Sequence, residues 1–186
     1  MKRLSMLFLV PVIFLAIPLL INAQGINVQE DPRPYNSVAD SIAKAIKEEL
    51  PDWKRKSIPP TDRDGLDNFS QEVIIDQWSS AEGSVRVVIF LHSSEYDAKD
   101  TFEKFTANVK ANEHLPDVDS EAYAWGINKS IALRRGSYAV YISSVVATYS
   151  DEDMSSGKKS NDKKSKEEAR LNKIFAKIVV KALKGI

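Results

Sequence analysis

Ser84 to Leu91 (SVRVVIFL) sets Val85, Val87, Ile89 and Leu91 on one side of an extended chain and Val88 and Phe90 on the other. A strand apolar on both sides needs cover on both, so this segment belongs inside a sheet and not at its edge. Glu72 to Trp78 is a second run rich in β-branched residues, separated from the first by Ser79, Ser80, Ala81, Glu82 and Gly83. The two read as a hairpin.

Around this pair the chain alternates helical and extended patterns. Val38, Ile42, Ala45, Ile46 and Leu50 recur at helical spacing behind Ser37 as N-cap, and Pro51 ends the run. Asp52 to Gln71, with Pro59, Pro60 and Gly65, reads as a long irregular connection. Ser94 and Asp97 form a capping pair ahead of Ala98, Phe102, Phe105 and Val109. Glu121 to Gly126, Ser130 to Arg134 and Tyr138 to Thr148 are extended, joined by tight turns at Gly126–Lys129 and at Arg135, Gly136 and Ser137. Gly136 suits a positive φ. Residues 149–164 are polar and read as a solvated loop; Ser165 and Glu168 then cap a last helix through Leu171, Ile174, Phe175, Ile178 and Ala182, which ends at Gly185. The expected fold is α+β: a single mostly antiparallel sheet of about five strands with helices packed on one face, in the order α-β-β-α-β-β-β-α.

The segments YAWG at 123–126, IALRRG at 131–136 and YAVYIS at 138–143 resemble the C-terminal meander of uncharacterised secreted or envelope α+β domains of bacteria. That resemblance implies the fold and the compartment. It brings no catalytic residue or ligand with it.

The compartment is argued independently by the N-terminus. Lys2 and Arg3 precede an unbroken apolar or proline run from Met6 to Ile21, and small Ala23 suits a peptidase pocket. Residues 1–23 are therefore expected to be a signal peptide cleaved after Ala23, residues 24–36 an extended lead-in, and residues 37–186 one domain. The product is expected to be secreted or periplasmic and not membrane-spanning; a retained anchor is the competing reading, against which the run is short and carries Pro11 and Pro18. The chain has no cysteine, which removes disulfides, thiolate metal sites and a cysteine nucleophile.

Candidate chemistry is sparse. Asp62, Asp64, Gly65 and Asp67 superficially suggest a calcium loop, but with Gly65 at the sixth position the first falls on Pro60 and the twelfth on Gln71, neither the required ligand. His92 precedes Glu95 and Asp97 at a strand-to-helix junction, and His114 stands beside Glu113 and Asp117. Neither histidine belongs to a metal-ligand spacing, and no nucleophile elbow surrounds Ser93 and Ser94. No cofactor and no metal are expected.

Two surfaces remain. Tyr123, Trp125, Arg134 and Tyr141 alternate so that they can share one sheet face, as a platform for a sugar ring or planar ligand or, as the commoner fate of large aromatics, as core. Charge offers the other: Gln24 to Gly157 holds 14 basic against 23 acidic residues, whereas Lys158 to Ile186 holds 10 against 3. Lys158, Lys159, Lys163 and Lys164 open that basic segment and could attract anionic polymers, although lysines at three- and four-residue spacing also mark the solvated face of a helix. The expected function is a non-enzymatic binding module of the cell envelope, its partner an envelope polysaccharide or another secreted protein and not a specific nucleic acid. A small hydrolase built on His92 and nearby carboxylates, and a purely structural envelope protein, are the alternatives.

Overall fold

The computed structural model describes residues 37–59, 72–146 and 158–186. The signal-peptide and lead-in assignments and the Asp62, Asp64, Gly65, Asp67 cluster lie outside the described residues. Within them are α1 (Ser37–Glu49), β1 (Lys54–Ile58), β2 (Glu72–Ser80), β3 (Gly83–Leu91), α2 (Glu95–Asn108), β4 (Glu113–His114), β5 (Ala122–Trp125), β6 (Ser130–Arg135), β7 (Tyr138–Val146) and α3 (Lys158–Lys184). The class is α+β, and every strand pairing is antiparallel.

The sheet has seven strands in the order β1-β2-β3-β7-β6-β5-β4, not about five. Two meanders, β1 to β3 and β4 to β7, meet at the β3–β7 seam, where Val87 stands opposite Ile142 and Ile89 opposite Val140. The two strands that sequence reasoning missed are the two edges. β1 (KRKSI) carries charge where a half-buried strand would alternate, and it pairs only with β2. Charged, short edges resist pairing with other chains. β4 is two residues long, too short for any periodicity.

The helices do not share one face. α1 and α3 cover the side formed by Val85, Val87, Ile89, Ile131, Leu133, Val140 and Ile142. α2 lies on the opposite side, with Phe102 and Phe105 over Val88, Phe90, Ala132 and Tyr141. The two-sided apolarity of β3 required this arrangement, since one layer of helices would leave Val88 and Phe90 in water. At the centre of the first face, Phe175 of α3 meets Trp53 edge-on with ring centroids 4.9 Å apart, and Trp78 at 6.5 Å. Each such ring contributes about 1.5–3 kcal/mol by leaving water.

α3 begins at Lys158, so the expected solvated loop at 149–164 is in part helix, and Lys158, Lys159, Lys163 and Lys164 belong to its first turns. Polarity misled the reading: Lys, Glu and Ala are strong helix formers whether or not they offer an apolar face. Glu168 does not cap a helix start; it is buried mid-helix, where its backbone carbonyl accepts from the Ser144 hydroxyl (2.9 Å) and its carboxylate from the Val146 amide (3.4 Å). These bonds fasten α3 to the end of β7.

One charge lies deep on the α1 and α3 side. Asp76 of β2 is 1 % exposed and takes a 2.9 Å ion pair from Arg55 of β1, which also stands 3.8 Å from Asp40 of α1. A buried carboxylate needs such a partner, so the edge strand is held in place by charge as well as by Ile58, its one apolar side chain.

Candidate functional site

Strand alternation does put Tyr123, Trp125, Arg134 and Tyr141 on one side of the sheet, but it is the side that α2 covers. Phe105 stacks on Tyr141 with centroids 3.9 Å apart and meets Trp125 edge-on at 5.3 Å, while Phe102 stands 6.1 Å from Tyr123. Tyr141 is buried, and Tyr123 and Trp125 are half-buried against the same cluster. The three aromatics thus furnish the core under α2, and no open stacking platform forms from them. Arg134 stands apart from them, occupied at the end of β6 as described below.

Among the described residues, several basic side chains of α3 are paired within the protein. Lys173 and Lys177 both reach Asp117, at 2.9 and 3.1 Å, and hold its carboxyl below the usual range, the bond from Lys173 being the larger cause. Lys181 pairs with Glu49 of α1 at 2.7 Å, which raises the Lys181 ammonium. Arg170 bridges Glu167 and Glu82, both at 2.6 Å. Lys164 lies 4.0 Å from Glu168. Part of the lopsided charge of the sequence is therefore matched in space, by acidic partners from α1, the β2–β3 turn and the loop after β4 as well as by Glu167 and Glu168 of α3 itself.

The two histidines sit in different settings. His92 is 2 % exposed and neither ring nitrogen has a hydrogen-bond partner. The serines beside it bond to Asp97 instead: Ser93 through a short hydroxyl contact, Ser94 at 2.8 Å, with the Asp97 amide donating back to Ser94 at 3.1 Å. These bonds form the N-cap of α2 and lower the Asp97 carboxyl, Ser93 contributing most. His114 donates from Nε2 to the Ser120 carbonyl at 3.0 Å and so pins the loop between β4 and β5. Among the described residues, no group of three His, Cys, Asp or Glu side chains could hold a metal.

That pinned loop forms one wall of an open cleft of about 700 Å³ lined by Asp119, Ser120, Glu121, Arg134, Arg135 and Gly136. The cleft sits at the end of the sheet where β6 stops and β5 and β7 begin. Gly136 has φ +55°, the left-handed conformation that lets β6 reverse into β7 in two residues. Consecutive strand residues point to opposite sides, so the reversal presents Arg134 toward the α2 side and Arg135 toward the other. Each meets a carboxylate of the facing loop: Arg134 pairs with Glu121 at 2.6 Å and Arg135 with the buried Asp119 at 3.1 Å. Ser120 also donates to Asp119, at 3.1 Å. Arg134 further donates to the Gly136 carbonyl at 3.0 Å, while its buried Nε has no partner.

Sequence reasoning singled out Arg134 here and missed Asp119, Glu121 and Arg135. The available signal was the Arg-Arg-Gly step itself: two adjacent cations at a strand end, on opposite faces, need two separate counter-charges. No helix among the described residues is long and apolar enough to cross a membrane. Comparison with family models, with curated proteins and with solved structures finds no match, so the cleft has to be read from its own chemistry.

Proposed function

We propose that the protein is a non-enzymatic binding module exported from the cytoplasm, and that it engages a small polar ligand, or a polar group of a larger envelope partner, in the cleft at the β6–β7 turn. The observation that carries this reading is the cleft's construction: two guanidinium groups and two carboxylates line one open cleft, one wall of which is a loop bonded to His114. Ion pairs at a rigid strand end give directional hydrogen bonding without requiring a nucleophile or a base. The export half of the proposal rests on Lys2, Arg3 and the apolar run to Ile21.

Polar ligands of several classes, neutral oligosaccharides and peptides among them, should be titrated into the full mature chain while backbone amide resonances are followed. Binding at this site shifts Ser120, Glu121, Arg135 and Gly136 together and is weakened by Glu121→Gln. Ligands that instead shift residues of α3, or none that shift the cleft, would remove the support for this reading.

A further inference from the structure

Arg55, Arg134 and Arg135 are ion-paired, but the other basic residues of the strands are not: Lys54 and Lys56 of β1 and Arg86 of β3 are exposed and take part in no ion pair among the described residues. Strand register puts all three on one side of the sheet. Lys56 stands opposite Gln77, and Gln77 opposite Arg86; Lys54 stands opposite Ser79, and Ser79 opposite Ser84. Trp78, Val85 and Val87 alternate with these residues and belong to the core under α1 and α3, so the six form a grid three strands wide on the α2 side. α2 covers that side farther along, where Phe102 and Phe105 meet Val88, Phe90, Ala132 and Tyr141. The grid lies beyond it, next to the β2–β3 turn. Two strand spacings set Lys56 about 10 Å from Arg86, and two residues set Lys54 about 7 Å from Lys56, measured along the backbone. Among the described residues the strands add no carboxylate here: Glu72 and Asp76 of β2 and Glu113 of β4 alternate to the other side. The acids of α2 are engaged along their own helix, Asp100 with Lys104 at 2.6 Å, Glu103 with Lys99 at 3.8 Å and Asp97 at the N-cap. Guarding an edge accounts for lysines on β1, but Arg86 stands on an interior strand between β2 and β7, with no edge to guard.

From this juxtaposition we infer that the open sheet face binds a linear acidic polysaccharide, Lys54, Lys56 and Arg86 pairing with its anionic groups and Gln77, Ser79 and Ser84 bonding its hydroxyls. The face is separate from the cleft: Arg135 pairs with Tyr138 at the start of β7, whereas the grid is level with Ser143 and Val145 near its end. Unpaired cations of one sign on a shared surface sum their fields and draw a polyanion. The neutral side chains between them decide its kind. Hydroxyl and amide groups both donate and accept, as sugar hydroxyls do, so a chain that alternates anionic groups with hydroxyls is matched at each position. Single-stranded nucleic acid binds through aromatic rings on which bases stack, and Tyr123, Trp125 and Tyr141 are taken up in the core under α2. A lipid surface is held by inserted apolar side chains as well as charge, and beside the grid only Val145, 60 % exposed, offers one.

The test is a titration of the full chain at neutral pH and low salt with oligogalacturonate, dextran sulfate and neutral dextran, read by calorimetry and by backbone amide resonances. At least one acidic polymer is expected to bind and to shift the amides of β1, β2 and β3 beside the β2–β3 turn, with neutral dextran at least about tenfold weaker. Added salt should weaken the binding. The triple change Lys54→Gln, Lys56→Gln and Arg86→Gln should lower affinity by at least about tenfold. Lys163→Gln, Lys166→Gln and Lys184→Gln together remove the same charge from α3 and should leave affinity within about twofold. All six side chains are exposed, circular dichroism confirms that each variant folds, and the resonance shifts locate the site in the unaltered chain. Binding by neither acidic polymer, equal loss in the two variants, or shifts confined to α3 overturns the inference. Undiminished binding by the β1–β3 variant does so too, and leaves the lysines as guards of the edge. Single-stranded DNA or phosphatidylglycerol vesicles bound more tightly than either polysaccharide through the same three cations would replace the polysaccharide as partner and overturn the assignment.

Discussion

Replacing Phe175 with alanine should cost more than removing any other single side chain from the face under α1 and α3. The ring is wholly buried and has Trp53 edge-on at 4.9 Å and Trp78 at 6.5 Å, so the space it leaves is walled by two rigid indoles. Such walls relax little, and Phe→Ala at a site that cannot collapse costs roughly 3–5 kcal/mol, within which each lost aromatic pair accounts for about 0.5–1.5 kcal/mol. At about 2–4 °C per kcal/mol for a domain of this size, Tm should fall by roughly 6–20 °C. Urea unfolding read by tryptophan emission is the assay, since Trp53 and Trp78 both report on the site; the midpoint should drop with the slope unchanged. Phe105→Ala, removing a half-buried ring on the opposite face, is the internal control and should cost less than half as much. A loss below about 2 kcal/mol for Phe175→Ala, or one no larger than that of Phe105→Ala, would refute the assignment of Phe175 as the hub of its layer.

Arg55→Ala should destabilise by about 3 kcal/mol by removing the 2.9 Å partner of buried Asp76, and the double change Arg55→Met with Asp76→Leu should recover most of it in the same urea assay. Asn172, fully buried on α3, donates to the carbonyls of Asn128 and Lys129 at 2.9 and 3.1 Å, so Asn172→Ala should cost about 1–3 kcal/mol and speed amide exchange in that turn. Lys129 has φ +50°, and Lys129→Gly should relieve roughly 1 kcal/mol of strain, less what its contact with Glu113 contributes; thermal melts decide the sign. Asp97 and Asp117 both lie below their ordinary value of 3.8 in the folded protein, so the stability they contribute is complete above that pH and is lost as pH falls through their lowered values. Asp97→Asn and Asp117→Asn should each flatten the urea midpoint measured between neutral and strongly acidic pH.

The central architecture was legible because burial writes itself into the sequence. β3 declared its position by being apolar on both sides, and the meander from Ala122 to Val146 by alternation around two turns. α2 was marked by Ser94, Asp97 and its phenylalanines. What stayed hidden depended on partners distant in the chain. β1 is stabilised through Arg55 and Asp76, 21 positions apart, and shows no periodicity of its own. The two-sided apolarity of β3 called for cover on both faces, yet the expected fold set the helices on one, because apolar spacing in a helix gives a stripe and not a direction. The aromatic alternation at Tyr123, Trp125 and Tyr141 allowed either an open platform or a place in the core, whereas the cover by Phe102 and Phe105 is a tertiary fact. The cleft was the least visible feature. Asp119 and Glu121 look like ordinary loop acids until the Gly136 turn sets Arg134 and Arg135 against them.

The seam between the two meanders has a consequence for how the chain assembles. Leu91 meets Tyr138, 47 positions on, and Gly83 meets Val146, 63 positions on, so every β3–β7 pair closes a long loop. That closure costs about 3–4 kcal/mol of chain entropy before the seam contributes any stability. Each meander can gather its own hairpins early, and the two half-sheets then wait with β3 and β7 as open edges, both apolar on two sides. At high concentration the nearest complementary edge belongs to another molecule. The second meander of one copy can then zip onto β3 of its neighbour, and the reciprocal exchange makes a swapped dimer with every native pair intact. Refolding at increasing concentration should accumulate that dimer, and dilution of the folded dimer should release monomer only as slowly as the seam unzips.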